Sequence, residues 1–175
     1  MKTIYLAGGC FWGLQRFFDQ FDGVIRTDAG YANGPNDRDA LNVPPSYEDV
    51  CRNSGHAETV RIDYDENAIS LTQLLEYYFM VIDPVSVNRQ GNDTGIQYRT
   101  GIYYTGEDQL PEILTVYQRE EEKAGKTLAV ELKPLENFYP AEEYHQKYLE
   151  KNPGGYCHIP RRFFRLRTHS EGEEA

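Results

Sequence analysis

Three cysteines are the residues of this 175-residue chain best suited to covalent chemistry, and they stand far apart as Cys10, Cys51 and Cys157. An odd number so widely spaced does not make the disulfide framework of a small secreted domain. The four histidines supply no HxxxH pair, the cysteines supply no CxxC, and Cys157 beside His158 is poor ligand spacing, so neither a metal nor a cofactor is expected. Redox or nucleophilic chemistry remains, with inert buried thiols as the competing reading. Cys10 lies in GGCFWG, between an apolar run and the first helical pattern. At a strand-to-helix junction, backbone N–H groups and the positive end of the helix dipole favour a thiolate and lower the cysteine pKa. Gly8 and Gly9 let the backbone bend without a Cβ.

A nucleophilic thiol gains from an acid beside it. Glu58 has the parity of Val60, Ile62 and Tyr64 in the alternating run Ala57 to Tyr64, so its carboxyl points toward the apolar side, where it can hold a proton near neutrality. A strand that starts later, or a neutralising arginine, would leave it an ordinary carboxylate. Tyr98 shares parity with Thr100 and Ile102 and can offer a hydroxyl to a polar pocket, although strand tyrosines also fill cores. On the helical wheel Trp12 falls with Gln15, Arg16 and Asp19, opposite the core stripe, which suggests an apolar wall for a small group; Phe11 fits either face. Cys157 sits in NPGGYC, a flexible turn with the reach a resolving cysteine needs, or it is an incidental tail thiol. Cys51 lies in a polar loop and has no assigned role.

The elements that must position these groups are legible as periodicities. Lys2 to Ala7 predicts a strand, and Leu14, Phe17, Phe18 and Phe21 a helix reaching about Phe21. Gly23 to Ala29 and Ala57 to Tyr64 predict strands, the latter with Thr59, Arg61 and Asp63 facing out. Ser70 and Gln73 form a capping box, with Ile69 and Leu74 as its staple, ahead of the stripe Leu71, Leu74, Leu75, Tyr78 and Ile82; Asp83-Pro84 stops that helix. Tyr98 to Tyr104 reads as a strand, and Leu110, Ile113, Leu114 and Tyr117 mark a helix ending near Gly125. Leu128, Val130 and Leu132 suggest a fifth strand, and Ala141 to Leu149 a last short helix. The first six elements run strand, helix, strand, strand, helix, strand, which is the split β-α-β order of a two-layer, ferredoxin-like α+β sandwich. Residues 1–175 are expected to form one domain, with 159–175 as a C-terminal extension beyond its core. The long connections Tyr31 to His56 and Pro84 to Gln97 are rich in Gly, Asn, Asp and Pro, and loops of that length are usually functional or disordered.

The formal net charge of −10 argues against nucleic acid as a partner, since phosphates demand a basic surface. One basic run, Arg161, Arg162, Arg165 and Arg167, is interleaved with Phe163, Phe164 and Leu166 and reads as a snorkelling segment packed on the body. Glu171 to Glu174 reads as a solvated tail. No apolar run is long enough to span a bilayer and MKTIYLAGG makes a poor signal peptide, so a soluble, cytoplasmic protein is expected.

Taken together, GCFWG, GYANG, YEDV, GHAE, GND followed by QYR, FYPAEEYHQKYL and NPGGYC resemble the peptide methionine sulfoxide reductases of the A type, from Ile4 to His158. The resemblance implies reduction of the S epimer of methionine sulfoxide, free or in proteins. Cys10 would attack the sulfoxide sulfur and Glu58 protonate its oxygen, assisted by Tyr47, Asp93 and Tyr98, while Phe11 and Trp12 hold the methyl. It further implies sulfenic acid on Cys10, a disulfide with Cys157 and thioredoxin as reductant. A monomer is expected. The sequence departs from the family pattern at Gln15, where a glutamate is common and where the wheel expects exposure, and in the long, proline-rich stretch Pro35 to Pro45. Two rival classes exist: a papain-like thiol hydrolase or acyl transferase built on Cys10, His145 and Asn152, and a metal-binding module using Asp37, Asp39 and Asp93, whose spacing matches no calcium loop.

Overall fold

A computed structural model describes residues 1–35 and 44–166. Alternation in the two central strands sets the layers. In β1 (Lys2–Gly8), Ile4 and Leu6 join the main core while Tyr5 and Ala7 join a second, smaller cluster. In β3 (Ala57–Tyr64), Val60, Ile62 and Tyr64 face the main core and Ala57 the second cluster. β2 (Val24–Ala32) pairs with β3, and β6 (Thr100–Tyr104) with β1, all antiparallel. The short strands β4 (Arg89–Gln90) and β5 (Asp93–Thr94) form a separate hairpin. Two further strands extend the sheet: β7 (Glu131–Pro134), parallel to β6, and β8 (Phe138–Pro140), antiparallel to β2. The order is β7-β6-β1-β3-β2-β8, and its central four strands reproduce the split β-α-β arrangement expected of an α+β sandwich.

The helices cover the main-core face. α1 (Phe11–Phe18) buries Leu14, Phe17 and Phe18; it stops before the expected Phe21, which is only partly buried against the same core. α2 (Tyr47–Cys51) opens with a capping box between Ser46 and Asp49. α3 (Leu71–Val81) has the predicted capping box of Ser70 and Gln73, and Ile69 and Leu74 are both in the core. α4 (Leu110–Ala124) ends on Gly125, whose φ of 69° is the left-handed conformation that suits glycine.

Several expectations are corrected. Thr59 and Asp63 do not face solvent: both are buried, because the second face of the sheet carries the Tyr5, Ala7, Ala32, Ala57 and Tyr103 cluster with Phe138 packed on it, and Asp63 accepts from Thr3 and Arg61. Leu114 is exposed and Val116 takes its place in the core. Leu128 and Val130 are buried but precede the strand, which begins at Glu131. Ala141 to Leu149 is not one helix. A 3-10 turn, Glu143–His145, and α5 (Tyr148–Lys151) are separated by Lys147, whose φ is 55°. Tyr98 closes a 3-10 turn, Ile96–Tyr98, ahead of β6 rather than lying in the strand. The final segment packs on the body: Ile159 is buried in the main core, with Phe163, Phe164 and Leu166 against it. No helix among the described residues is long and apolar enough to cross a membrane.

Candidate active site

Cys10 is the N-cap residue of α1, set at the junction where β1 gives way to the helix. The turn before it depends on Gly9, with φ of 81°; a Cβ there would come 2.7 Å from the Gln90 Cβ. Glu58, on the facing strand β3, is 1% exposed, and its Oε1 accepts from the backbone N–H of Phe11 at 3.2 Å. The carboxyl therefore lies against the first turn of the helix that Cys10 caps, on the main-core side of the sheet. Parity and the strand start both hold. Burial raises the Glu58 pKa to about 8, the Phe11 N–H opposing the rise and Asp93 adding to it. A carboxyl with that pKa is mostly protonated at neutral pH.

The thiol behaves differently from expectation. Cys10 is 8% exposed, and burial pushes its pKa well above the ordinary value, with Glu58, Asp93 and Cys157 contributing to the rise and the Trp12 backbone N–H opposing it. The helix start does favour the thiolate, but removing the sulfur from water outweighs it. Tyr47, Asp93 and Tyr98 lie within electrostatic reach of this pair. The Tyr47 and Tyr98 hydroxyls both feel the charges of Glu58 and Cys10, and burial raises the pKa of each, so both are protonated donors. Asp93, in the β4–β5 hairpin, feels Tyr156, and burial raises its pKa. Its Oδ2 is buried without a hydrogen-bond partner among the described residues. The structure thus gathers Cys10, Glu58, Tyr47, Asp93 and Tyr98 in one place, and Tyr98 arrives there by a route other than strand parity.

The apolar wall is built from both ends of the chain. Phe11 is buried, 5.8 Å from the Tyr31 ring. The Trp12 indole stacks on Tyr148 at 3.8 Å and donates its N–H to His145 Nδ1 at 3.0 Å. That bond requires the neutral tautomer carrying its proton on Nε2, and burial lowers the His145 pKa in the same sense. His145 and Tyr148 were not singled out as wall residues from the sequence, nor was Glu142, which accepts from the Tyr31 hydroxyl at 3.0 Å and the Tyr47 backbone N–H at 3.3 Å and so seats α2 beside the site. The signal was present as the dense FYPAEEYHQKYL stretch, but nothing local ties it to residues 130 positions earlier. Gln15 is corrected outright: it is 1% exposed, donates to Thr27 and Gln146, and accepts from the Lys147 backbone N–H at 3.0 Å. The face of α1 that the wheel leaves open is covered by residues 145–151.

Cys157 lies against the same helix, on an irregular segment. A Cβ added at Gly13 would come 2.5 Å from the Cys157 sulfur, so only glycine admits the second thiol this close to α1. Cys157 is partly buried and its sulfur accepts from the Ile159 N–H at 3.3 Å, which makes the segment docked rather than loose. All three cysteines are free thiols, and Cys51 is exposed at the end of α2. A Cys10–His145 couple of the papain kind is not formed: His145 Nδ1 is occupied by the indole, its Nε2 makes no hydrogen bond among the described residues, and the group beside the thiol is a carboxylic acid. Asp37 and Asp39, with most of the Pro35 to Pro45 stretch, lie outside the described residues.

The known proteins that resemble this chain point the same way. A family described as "Peptide methionine sulfoxide reductase" matches residues 2–174. The chain is 54% identical over 162 residues to a Clostridium acetobutylicum protein named peptide methionine sulfoxide reductase MsrA, covering 92% of this chain and 96% of that one. It superposes on Mxr1 of Saccharomyces cerevisiae in reduced form with a TM-score of 0.84 at 37% identity, covering 89% of this chain and 88% of the other. Mxr1 in complex with Trx2 is matched at TM-score 0.55 and 26% identity, covering 84% of each chain.

Proposed function

This chain belongs to the peptide methionine sulfoxide reductase family, and from that premise we propose how its residues reduce methionine sulfoxide with thioredoxin as the reductant. The observation that carries the assignment of roles is Glu58: a carboxyl buried to 1% exposure, pKa raised to about 8, lodged at the head of the helix that Cys10 caps. A sulfoxide sulfur is a poor electrophile while its oxygen carries negative charge. An ionised acid would repel that oxygen; a protonated one donates to it and makes the sulfur attackable.

The Cys10 sulfur attacks the sulfoxide sulfur as Glu58 gives its proton to the oxygen, with the Tyr47 and Tyr98 hydroxyls donating to the same oxygen. The oxygen passes to Cys10 and methionine leaves, so that one thiol and one sulfoxide become one sulfenic acid and one thioether, and the thiol proton returns to Glu58. General acid help of this kind is worth about 10²–10⁴-fold in rate. Phe11 and Trp12 hold the methyl. Because methyl, oxygen and side chain each meet a different wall, one epimer fits, and the S epimer is assigned. The Cys157 thiol then displaces water from the sulfenic acid to give a disulfide, and two thioredoxin thiols reduce it. Residues 1–175 act as one reductase domain, as a monomer. A cycle that ends on free thiols belongs in a reducing compartment, which supports a cytoplasmic setting.

Intact-mass measurement after mixing the reduced protein with one equivalent of each pure epimer of an N-acetylated methionine sulfoxide amide tests this directly. Loss of two hydrogens, mapped to Cys10 and Cys157 and seen with the S epimer alone, is expected. The same loss with both epimers, or a bond involving Cys51, would overturn the scheme.

A further inference from the structure

A lysine is out of place in the left-handed backbone region. Among the described residues, three of the non-glycine residues with positive φ are asparagines, Asn33, Asn53 and Asn88, which tolerate it. The other is Lys147, at 55°. Strain of this kind persists only where the surroundings over-determine it, and it gathers at functional sites. Lys147 is held in just that way. Its Nζ donates to both carboxylate oxygens of Asp19, at 2.8 and 2.7 Å, and to the Thr27 hydroxyl at 2.9 Å. Its backbone N–H donates to Gln15 Oε1 at 3.0 Å. Gln15 and Asp19 share one face of α1, and Asp19 is the C-cap of that helix. The preceding residue, Gln146, is tied to β2: its amide donates to the Ala29 carbonyl at 2.8 Å and its oxygen accepts from the Ala29 N–H at 2.9 Å.

This anchorage holds the outer part of the apolar wall. The reversal at Lys147 separates the 3-10 turn that ends in His145 from α5, which begins with Tyr148. The rings on either side of the reversal both rest on Trp12, His145 through the 3.0 Å bond from the indole and Tyr148 by stacking at 3.8 Å. Trp12 lies in the first turn of α1 and Asp19 caps its end. The helix that carries the indole therefore also carries the anchor for the two rings that fix it.

We propose that the clamp of Lys147, Asp19 and Thr27 determines specificity: by fixing the indole against His145 and Tyr148 it sets the size of the S-alkyl group that the site accepts. Lys147 and Asp19 are positioning residues, acting through Trp12 without touching substrate. This rests on Trp12 bounding the substrate methyl. With the clamp closed the wall fits a methyl; with it loosened, the wall yields to a larger group and presses the methyl less well.

The test compares the S epimers of N-acetylated methionine sulfoxide amide and of its S-ethyl homologue in single turnover, where recycling does not enter. The wild type should prefer methyl by about 10–200-fold, the span that one methylene gives in an apolar pocket. In Lys147→Met that preference should fall by about 5-fold, the most that a part-exposed ion pair supplies, through weaker affinity for the methyl substrate with the limiting burst rate kept. Asp19→Asn should shift the ratio in the same direction by less. Lys147→Gly should recover most of the preference, because glycine takes the left-handed turn without the tie; a merely stabilising ion pair would make glycine the worse of the two. An unchanged ratio in Lys147→Met, equal losses on both substrates, or a Lys147→Gly ratio no better than that of Lys147→Met overturns the clamp. Trp12→Ala in parallel keeps the two readings apart. If it leaves the methyl preference at the wild-type value, Trp12 does not bound the methyl and the wall itself is misassigned. If it relaxes the preference while the Lys147 and Asp19 variants do not, the clamp alone is overturned.

Discussion

The two thiols of the site live in opposite surroundings. Cys10 is held by the sheet: β1 leads into it, β3 brings Glu58 to it, and burial raises the pKa of both groups. Cys157 sits on an irregular segment, half covered, kept in place by its contact with Gly13, by the Ile159 N–H and by Arg161 reaching back to Pro153 and Gly155. Dryness serves the first step, because an acid must keep its proton to meet a polar oxygen. Reach serves the second, because the disulfide must form and then be offered to another protein. One redox cycle thus sets one sulfur in a dry, acid-lined interior and the other partly in reach of solvent.

Glu58→Gln should slow the single-turnover methionine burst by about 10²–10⁴-fold, measured by quenched flow, with substrate affinity largely kept; a burst of unchanged rate would remove the acid from the first step. At the other end, Gly13→Ala places a methyl against the Cys157 sulfur. Overpacking of this kind costs about 1–3 kcal/mol, so disulfide formation should slow by about 10-fold or more while the burst remains. An equal loss of both would show that α1 itself had shifted. A smaller effect is expected at the wall: Trp12→Phe keeps an apolar ring but loses the bond to His145, and one such bond is worth about 0.5–1.5 kcal/mol, so the burst should slow by about 2–10-fold, read from its dependence on substrate concentration.

What was legible in the sequence was what is local. The Ser70–Gln73 capping box and the Leu71, Leu74, Leu75, Tyr78 stripe define α3 within eleven residues, and the Ala57–Tyr64 alternation both places the strand and aims Glu58. What was illegible depends on distant chain. Gln15 looks exposed on a wheel because the segment that covers it lies 132 residues on, at Lys147. β8 is three residues of Phe138–Pro140, too short to alternate, and exists because β2 offers it an edge. Thr59 and Asp63 have the pattern of a half-exposed strand, yet a second cluster covers their face. The sign of the Cys10 shift was lost for the same reason: the helix dipole is visible in the local pattern, whereas burial is a property of the fold.

The most direct measurement is the titration of the Glu58 carboxyl itself, followed by carbon NMR in protein carrying carboxyl-labelled glutamate and assigned by the Glu58→Gln variant. The account predicts a midpoint near the raised value of about 8, so that the acid is mostly protonated at neutral pH. A midpoint near the ordinary 4.5 would make Glu58 a carboxylate beside the sulfoxide oxygen and contradict the mechanism.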